Sequence, residues 1–172
     1  MNLSKKIFAY IKITRPLNVL ITFLVVVVAI LITQNEQTDL YTILLASIAA
    51  SLVAAAGNIV NDIYDIESDK ISHPNRVLVL GTLNKTEVKL EYLILNFISA
   101  IISINLSQTL FAIVFISALL LFIYSAYLKK IPLIGNIVIA LLTGLAFIYG
   151  GFASGTPVAA IVPAVFAFLI NL

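Results

Sequence analysis

Cysteine is absent from the 172 residues, which removes disulfides, thiolate nucleophiles and cysteine metal sites from consideration. Histidine occurs once, at His73, and a lone histidine beside Pro74 reads as a turn residue before it reads as a metal ligand or base. Charge is scarce as well. Only 10% of the residues are charged while 62% are hydrophobic, and the mean hydropathy of +1.13 excludes a soluble domain of ordinary composition. No Asp or Glu follows Glu91, so any carboxylate chemistry must come from the first half of the chain. What remains is an integral membrane protein. At about twenty residues per span the length leaves room for roughly six helices, and the expected fold is an all-α polytopic bundle forming a single membrane domain over residues 1–172.

The apolar runs place spans at about 17–33, 40–60, 90–104, 109–128, 132–151 and 158–172. Ahead of them, Lys5, Lys6, Lys12 and Arg15 interleave with Ile7, Phe8, Tyr10 and Ile11, a basic amphipathic pattern suited to the membrane interface. A signal peptide is the rival reading of a basic start, but no small-residue cleavage site follows cleanly. Arg15-Pro16 then opens the first span, as proline at a first helical turn permits. Span two is rich in Ala, Ser and Gly, which lets helices approach closely in lipid, and is expected inside the bundle. Gln34 to Asp39, with Glu36, forms a polar loop; Asn105 to Gln108 and Gly150 to Pro157 form two more, and Gly135, Gly144, Gly150 and Gly151 read as packing or bending positions. All ten Lys and Arg residues fall in the amino-terminal segment or in the loops after spans two and four, on one face of a six-span arrangement. The positive-inside rule puts that face in the cytoplasm, giving a multi-pass protein of the cytoplasmic membrane with a cytoplasmic N-terminus.

Four of the chain's eight acidic residues gather between Gly57 and Asn84. Read as a helix at about 100° per residue, Asn58, Asn61, Asp62, Asp65 and Asp69 share an arc of roughly 100°, with Glu67 on the opposite side. Three carboxylates on one face beside a bilayer are costly unless something positive sits against them. A divalent metal, a phosphorylated ligand bridged by that metal, or lysines and arginines would each serve.

Asn61-Asp62-Ile63-Tyr64-Asp65-Ile66-Glu67-Ser68-Asp69 matches NDxxDxxxD, and on it the chain resembles the UbiA-type intramembrane prenyltransferases, whose first aspartate-rich motif has this form. Asn58 upstream, Lys70, Asn75-Arg76 and Gly81 are similar to the family's surrounding segment, with Val77 where a proline is usual. Tyr124 to Lys129 followed by Gly135-Asn136 resembles a later tyrosine-lysine segment, with Lys129 five residues after Tyr124 rather than four. The resemblance implies that Asp62, Asp65 and Asp69 bind Mg²⁺, which holds the diphosphate of a prenyl donor. It further implies that Asn58, Asn61, Arg76 and Lys129 contact the ligand, and that Asp62, Asp65 and Tyr124 serve catalysis, Tyr124 by facing a developing allylic cation. Lys70 and Lys130 are left to topology. The implied acceptor is a hydrophobic molecule in the lipid phase, a glycerol-phosphate lipid or an aromatic quinone precursor, with no nucleic-acid partner; the motif run is most similar to the branch that alkylates geranylgeranylglyceryl phosphate.

Family members are similar in having nine helices and a second aspartate-rich motif, which this sequence does not contain. The chain is therefore expected to be incomplete at its C-terminus and inactive alone. Two other classes stand beside the transferase. One is a non-catalytic membrane module, either a half-enzyme or a remnant. The other is a cation transporter, disfavoured because spans one, three, four, five and six carry no acid in mid-span.

Overall fold

The computed structural model describes residues 3–34 and 38–172. They form seven α-helices and no strand: α1 (Leu3–Ile13), α2 (Pro16–Thr33), α3 (Leu40–Ser72), α4 (Lys85–Leu106), α5 (Gln108–Ala126), α6 (Ile134–Ala153) and α7 (Ile161–Ile170). Short 3₁₀ turns at Leu128–Lys130 and Pro157–Ala160 lead towards α6 and α7. The all-helical expectation holds. By length and apolarity α2, α3, α5 and α6 can each cross a membrane. α4 carries Lys85, Glu87, Lys89 and Glu91 in its first two turns, and Pro157–Ile170 is shorter than a full span. Glu36 of the expected polar loop lies outside the described residues.

α3 is the axis of the bundle, packed by α2, α4, α5 and α6. Its Ala46, Ser47 and Ala49 are fully buried, so small side chains do place this helix inside. Its 33 residues make a rod of about 50 Å, longer than the ~30 Å hydrocarbon core of a bilayer, and the acidic face occupies its last turns. Around it, local chemistry sets the ends of the helices. Asp39 accepts from the Thr42 amide at 2.8 Å to cap α3. Asn84 and Glu87 form a reciprocal capping box at the start of α4, each side chain 2.9 Å from the other's amide. At the mouth of α2, Pro16 occupies the first turn, while Arg15 takes a left-handed backbone at φ 56° that an arginine rarely adopts.

Three boundaries differ from expectation. Ser107 alone separates α4 from α5, because its hydroxyl accepts from the Thr109 and Leu110 amides and caps α5 at once. Pro132 precedes α6, which begins after Leu133. Gly150 and Gly151 belong to α6, not to a loop. A Cβ on Gly150 would lie 2.6 Å from Ala29 Cβ and 3.0 Å from the backbone of Ala29, and one on Gly151 would lie 2.5 Å from Ala160 Cβ. Close helix approach outweighs the ~1 kcal/mol that glycine costs inside a helix. Just beyond, Thr33 and Ser154 hydroxyls meet at 2.9 Å and tie the end of α2 to the α6–α7 turn.

Candidate active site

The last four turns of α3 present their acid to cations from three separate parts of the chain. Asp62, only 3% exposed, takes a 2.5 Å bond from Arg15 Nη2 through Oδ1, and the same oxygen accepts from Arg76 Nη1. Arg76 Nη1 also lies 3.7 Å from Asp69 Oδ2. Asp65 is paired with Lys129, whose Nζ further donates to Asn61 Oδ1 at 3.3 Å. His73 caps the end of α3 and sets Nδ1 3.4 Å from Asp69 Oδ1. Glu67 faces away and pairs with Lys70 at 2.9 Å on the exposed side. Arginines and lysines, one of the three kinds of neutralising partner the sequence pattern allowed, sit against this face.

These cations are aimed by the chain around them. The left-handed backbone at Arg15 breaks the helix between α1 and α2, and its guanidinium reaches Asp62 on α3. Asn58 holds that turn by donating to the Thr14 carbonyl at 2.8 Å. Lys129 sits on the 3₁₀ turn after α5, with its side chain 12% exposed; Gly135 lets the start of α6 lie against it, since a Cβ there would come 3.3 Å from Lys129 Cα.

Above the ion pairs opens a cavity of about 680 Å³ between α2, α3, α5 and α6. Arg15, Asn18, Asn58, Asn61 and Tyr124 line its polar end, and Val25, Val53, Ile113, Val114 and Tyr149 line the deeper part. From Arg15 to Val25 along α2 the wall runs about 15 Å. An apolar channel thus ends on a polar floor of asparagines and Arg15, with the ion pairs just beyond it. It can hold an extended hydrocarbon with a polyanionic head, the cations meeting the anion and the greasy wall excluding water.

Every residue expected at the site lies in this region, though not in one ring. Asn61, Asn58 and Tyr124 line the cavity, while Asp62, Asp65, Asp69 and Arg76 lie beyond its polar end. Lys130 is exposed and Lys70 turns outward. Arg15 and Asn18 were not expected. The signal for Arg15 was a basic residue directly before the proline that opens a span, which sequence reasoning used only as a helix start. Among the described residues no three His, Asp or Glu side chains gather into a metal cage. Mg²⁺, however, takes few carboxylates and completes its octahedron with water and phosphate oxygens. Asp62 and Asp69 already converge on a single cationic nitrogen, so this all-oxygen donor set fits Mg²⁺ held by one or two carboxylates together with a ligand.

A multi-helix membrane protein with an apolar cavity over an aspartate-rich helix end is the class these features define. Residues 19–172 match the model of the UbiA prenyltransferase family, and the chain belongs to that family. It is 37% identical over 167 residues to a digeranylgeranylglyceryl phosphate synthase of Thermococcus kodakarensis, covering 95% of this chain and 59% of that protein. With the same synthase of Methanosphaera stadtmanae it shares 34% identity over 163 residues, with the same coverage. A solved structure from a study of digeranylgeranylglyceryl phosphate synthase in membranes superposes with a TM-score of 0.86 at 32% identity, over 96% of this chain and 58% of that one. A UbiA homologue from Archaeoglobus fulgidus, solved with DMAPP and Mg²⁺, shares the fold at a TM-score of 0.80 and 21% identity, over 91% of this chain and 60% of that one. The chain spans less than two thirds of the length of these relatives.

Proposed function

We propose that the protein transfers a prenyl group from a prenyl diphosphate to a glycerol-phosphate lipid, with Mg²⁺ as cofactor. The observation that carries this is that Arg15 and Asn61, which line the polar end of the 680 Å³ apolar cavity, are tied to the acidic face just beyond it, Arg15 by its bond to Asp62 and Asn61 through the lysine that pairs with Asp65. The carbon–oxygen bond to the diphosphate breaks with its electron pair leaving on the diphosphate, and the allylic carbon bonds to an acceptor oxygen that gives up its proton. Asp62, Asp65 and Asp69 would hold the Mg²⁺, and Arg15, Arg76 and Lys129, now paired with those carboxylates, would be the cations at hand for the diphosphate oxygens. Mg²⁺ supplies neutralisation of the leaving group, a contribution on the order of 2–4 kcal/mol per strong contact in a dry site. Tyr124 faces the cavity where positive charge develops on the prenyl chain. The relatives' names support the glycerol-phosphate acceptor over an aromatic quinone precursor.

The membrane arrangement we infer has α4 crossing beside the four long helices and Pro157–Ile170 entering the bilayer as the sixth segment, with the basic loops and the aspartate face cytoplasmic. The test uses purified protein in nanodiscs with labelled geranylgeranyl diphosphate. Mg²⁺-dependent binding that Asp65→Asn abolishes is expected, and in the full open reading frame transfer to geranylgeranylglyceryl phosphate but not to an aromatic acid. Transfer to the aromatic acceptor alone would overturn the acceptor assignment. Binding without turnover, in the full frame, would favour a non-catalytic module.

A further inference from the structure

A second concavity lies outside the site, where α1 meets the loop between α3 and α4. It measures about 340 Å³ and is lined by Ser4, Lys5, Phe8, Ala9, Lys12, Val77, Leu80 and Thr82. Two lysines and two hydroxyls face it, and no acidic side chain does. The polar groups are donors suited to a phosphate, and Phe8 and Leu80, 66% and 58% exposed, supply an apolar flank. The remainder of α1 shows where this cleft sits. Leu3, Ile7, Phe8 and Ile11 are all exposed and share an arc of about 140°, with Lys5 and Lys12 side by side on one border of it. The lysine on the opposite border, Lys6, is taken by Glu87. Ala9 and Ile13 hold the inner side of α1 against Ile59, Val77, Leu83 and Val88. The outward arc stays more than half open among the described residues, and an arc of this kind lies in the headgroup region of a bilayer.

We propose that this cleft binds the headgroup of an anionic bilayer phospholipid, with the phosphate between Lys5 and Lys12 and an acyl chain along Phe8 and Leu80. Charge complementarity identifies the headgroup and the apolar flank identifies a lipid over a free anion. Lys12 also donates to the Asn75 carbonyl at 3.1 Å, next to Arg76, so an occupant of the cleft adjoins the loop that carries a cation of the site. The inference stands on α1 and its cleft alone and is independent of the reaction proposed above.

The test is native mass spectrometry of the purified chain released from nanodiscs holding phosphatidylcholine and phosphatidylglycerol. The expected result is retention of phosphatidylglycerol over phosphatidylcholine, unaffected by excess inorganic phosphate. The preference should fall on the order of 30-fold in Lys5→Gln/Lys12→Gln, from the contribution of each lysine at an anionic surface, and persist in Lys89→Gln, which changes an exposed lysine outside the cleft. Should the double variant fail to fold, Lys5→Gln alone, a side chain with no hydrogen bond to lose, is expected to lower the preference about 5-fold. No preference in the parent, equal loss in Lys89→Gln, full retention in the lysine variants, or displacement by inorganic phosphate would each overturn the proposal.

Discussion

Asp62 shows how much a single side chain carries here. A carboxylate almost without solvent contact is tolerable because two guanidiniums meet one of its oxygens, and removing it would strand Arg15 and leave Arg76 only its longer contact to Asp69. The family resemblance implies a metal role for Asp62; the ion pairs to the α1–α2 turn and to the loop after α3 give it a second, structural duty. Asp62→Ala is therefore expected to abolish prenyl transfer and also to lower stability by about 3–5 kcal/mol, the cost typical of breaking a buried pair. Calorimetry beside the activity assay separates the two effects. Asp65→Asn keeps the shape and a partner for Lys129, so it should lose transfer while its melting temperature stays near the parent's. Glu67→Ala, whose parent side chain is 83% exposed, should match the parent in both measurements, and a loss of turnover there would contradict the assignment of the active face.

At the scale of elements, α2 and α6 approach through Gly150, and α1 is moored to α4 through Lys6 and Glu87. Gly150→Ala places a methyl against the backbone of Ala29 and Ile30 and is expected to cost about 1–3 kcal/mol by forcing the two helices apart. Thermal unfolding in detergent reads this directly, and an unchanged midpoint would mean that the helices yield. The mooring of α1 depends on pH. The hydrogen bond from Lys6 holds the Glu87 carboxyl below its usual value, helped by the Asn84 amide. The hydrogen bond to Glu87 likewise holds the Lys6 ammonium above its usual value. A depressed acid contributes stability above its unfolded pKa and loses it as pH falls through the folded one; a raised base contributes below its unfolded pKa and loses it as pH rises. The contact is thus complete between roughly pH 5 and pH 10. Hydrogen exchange of α1 should quicken as pH drops below that window once the intrinsic pH dependence is removed, and Glu87→Gln, which retains a cap for Asn84, should flatten the response.

For the whole molecule, the cavity is shared by four helices and the cations beyond its polar floor come from three chain segments, so the site exists only once the bundle has assembled. The relatives extend well beyond the stretch that this chain matches. We expect the 172-residue chain alone to bind Mg²⁺ and prenyl diphosphate weakly and to show no transfer in nanodiscs with geranylgeranylglyceryl phosphate. Metal-dependent, Asp62-dependent product from that chain would show that two copies, or a partner, complete the site.

Much of this was legible from residue order alone, because the relevant signals are local. A 3.6-residue period puts Asp62, Asp65 and Asp69 on one side of any helix and Glu67 on the other, hydropathy marks the long helices, and Ala and Ser mark the one that is buried. The aspartate motif points to its family for the same reason. Which partner faces each carboxylate was not local: Arg15 reaches Asp62 across 47 residues and Lys129 reaches Asp65 across 64. Those distances in sequence are closed by helix packing, which no periodicity records. The same holds for Asn58, whose amide is spent on Thr14, and for Gly150 and Gly151, where a loop composition became helix because two backbones had to touch. Local order determined the helices and the acidic face; packing in three dimensions decided what that face meets.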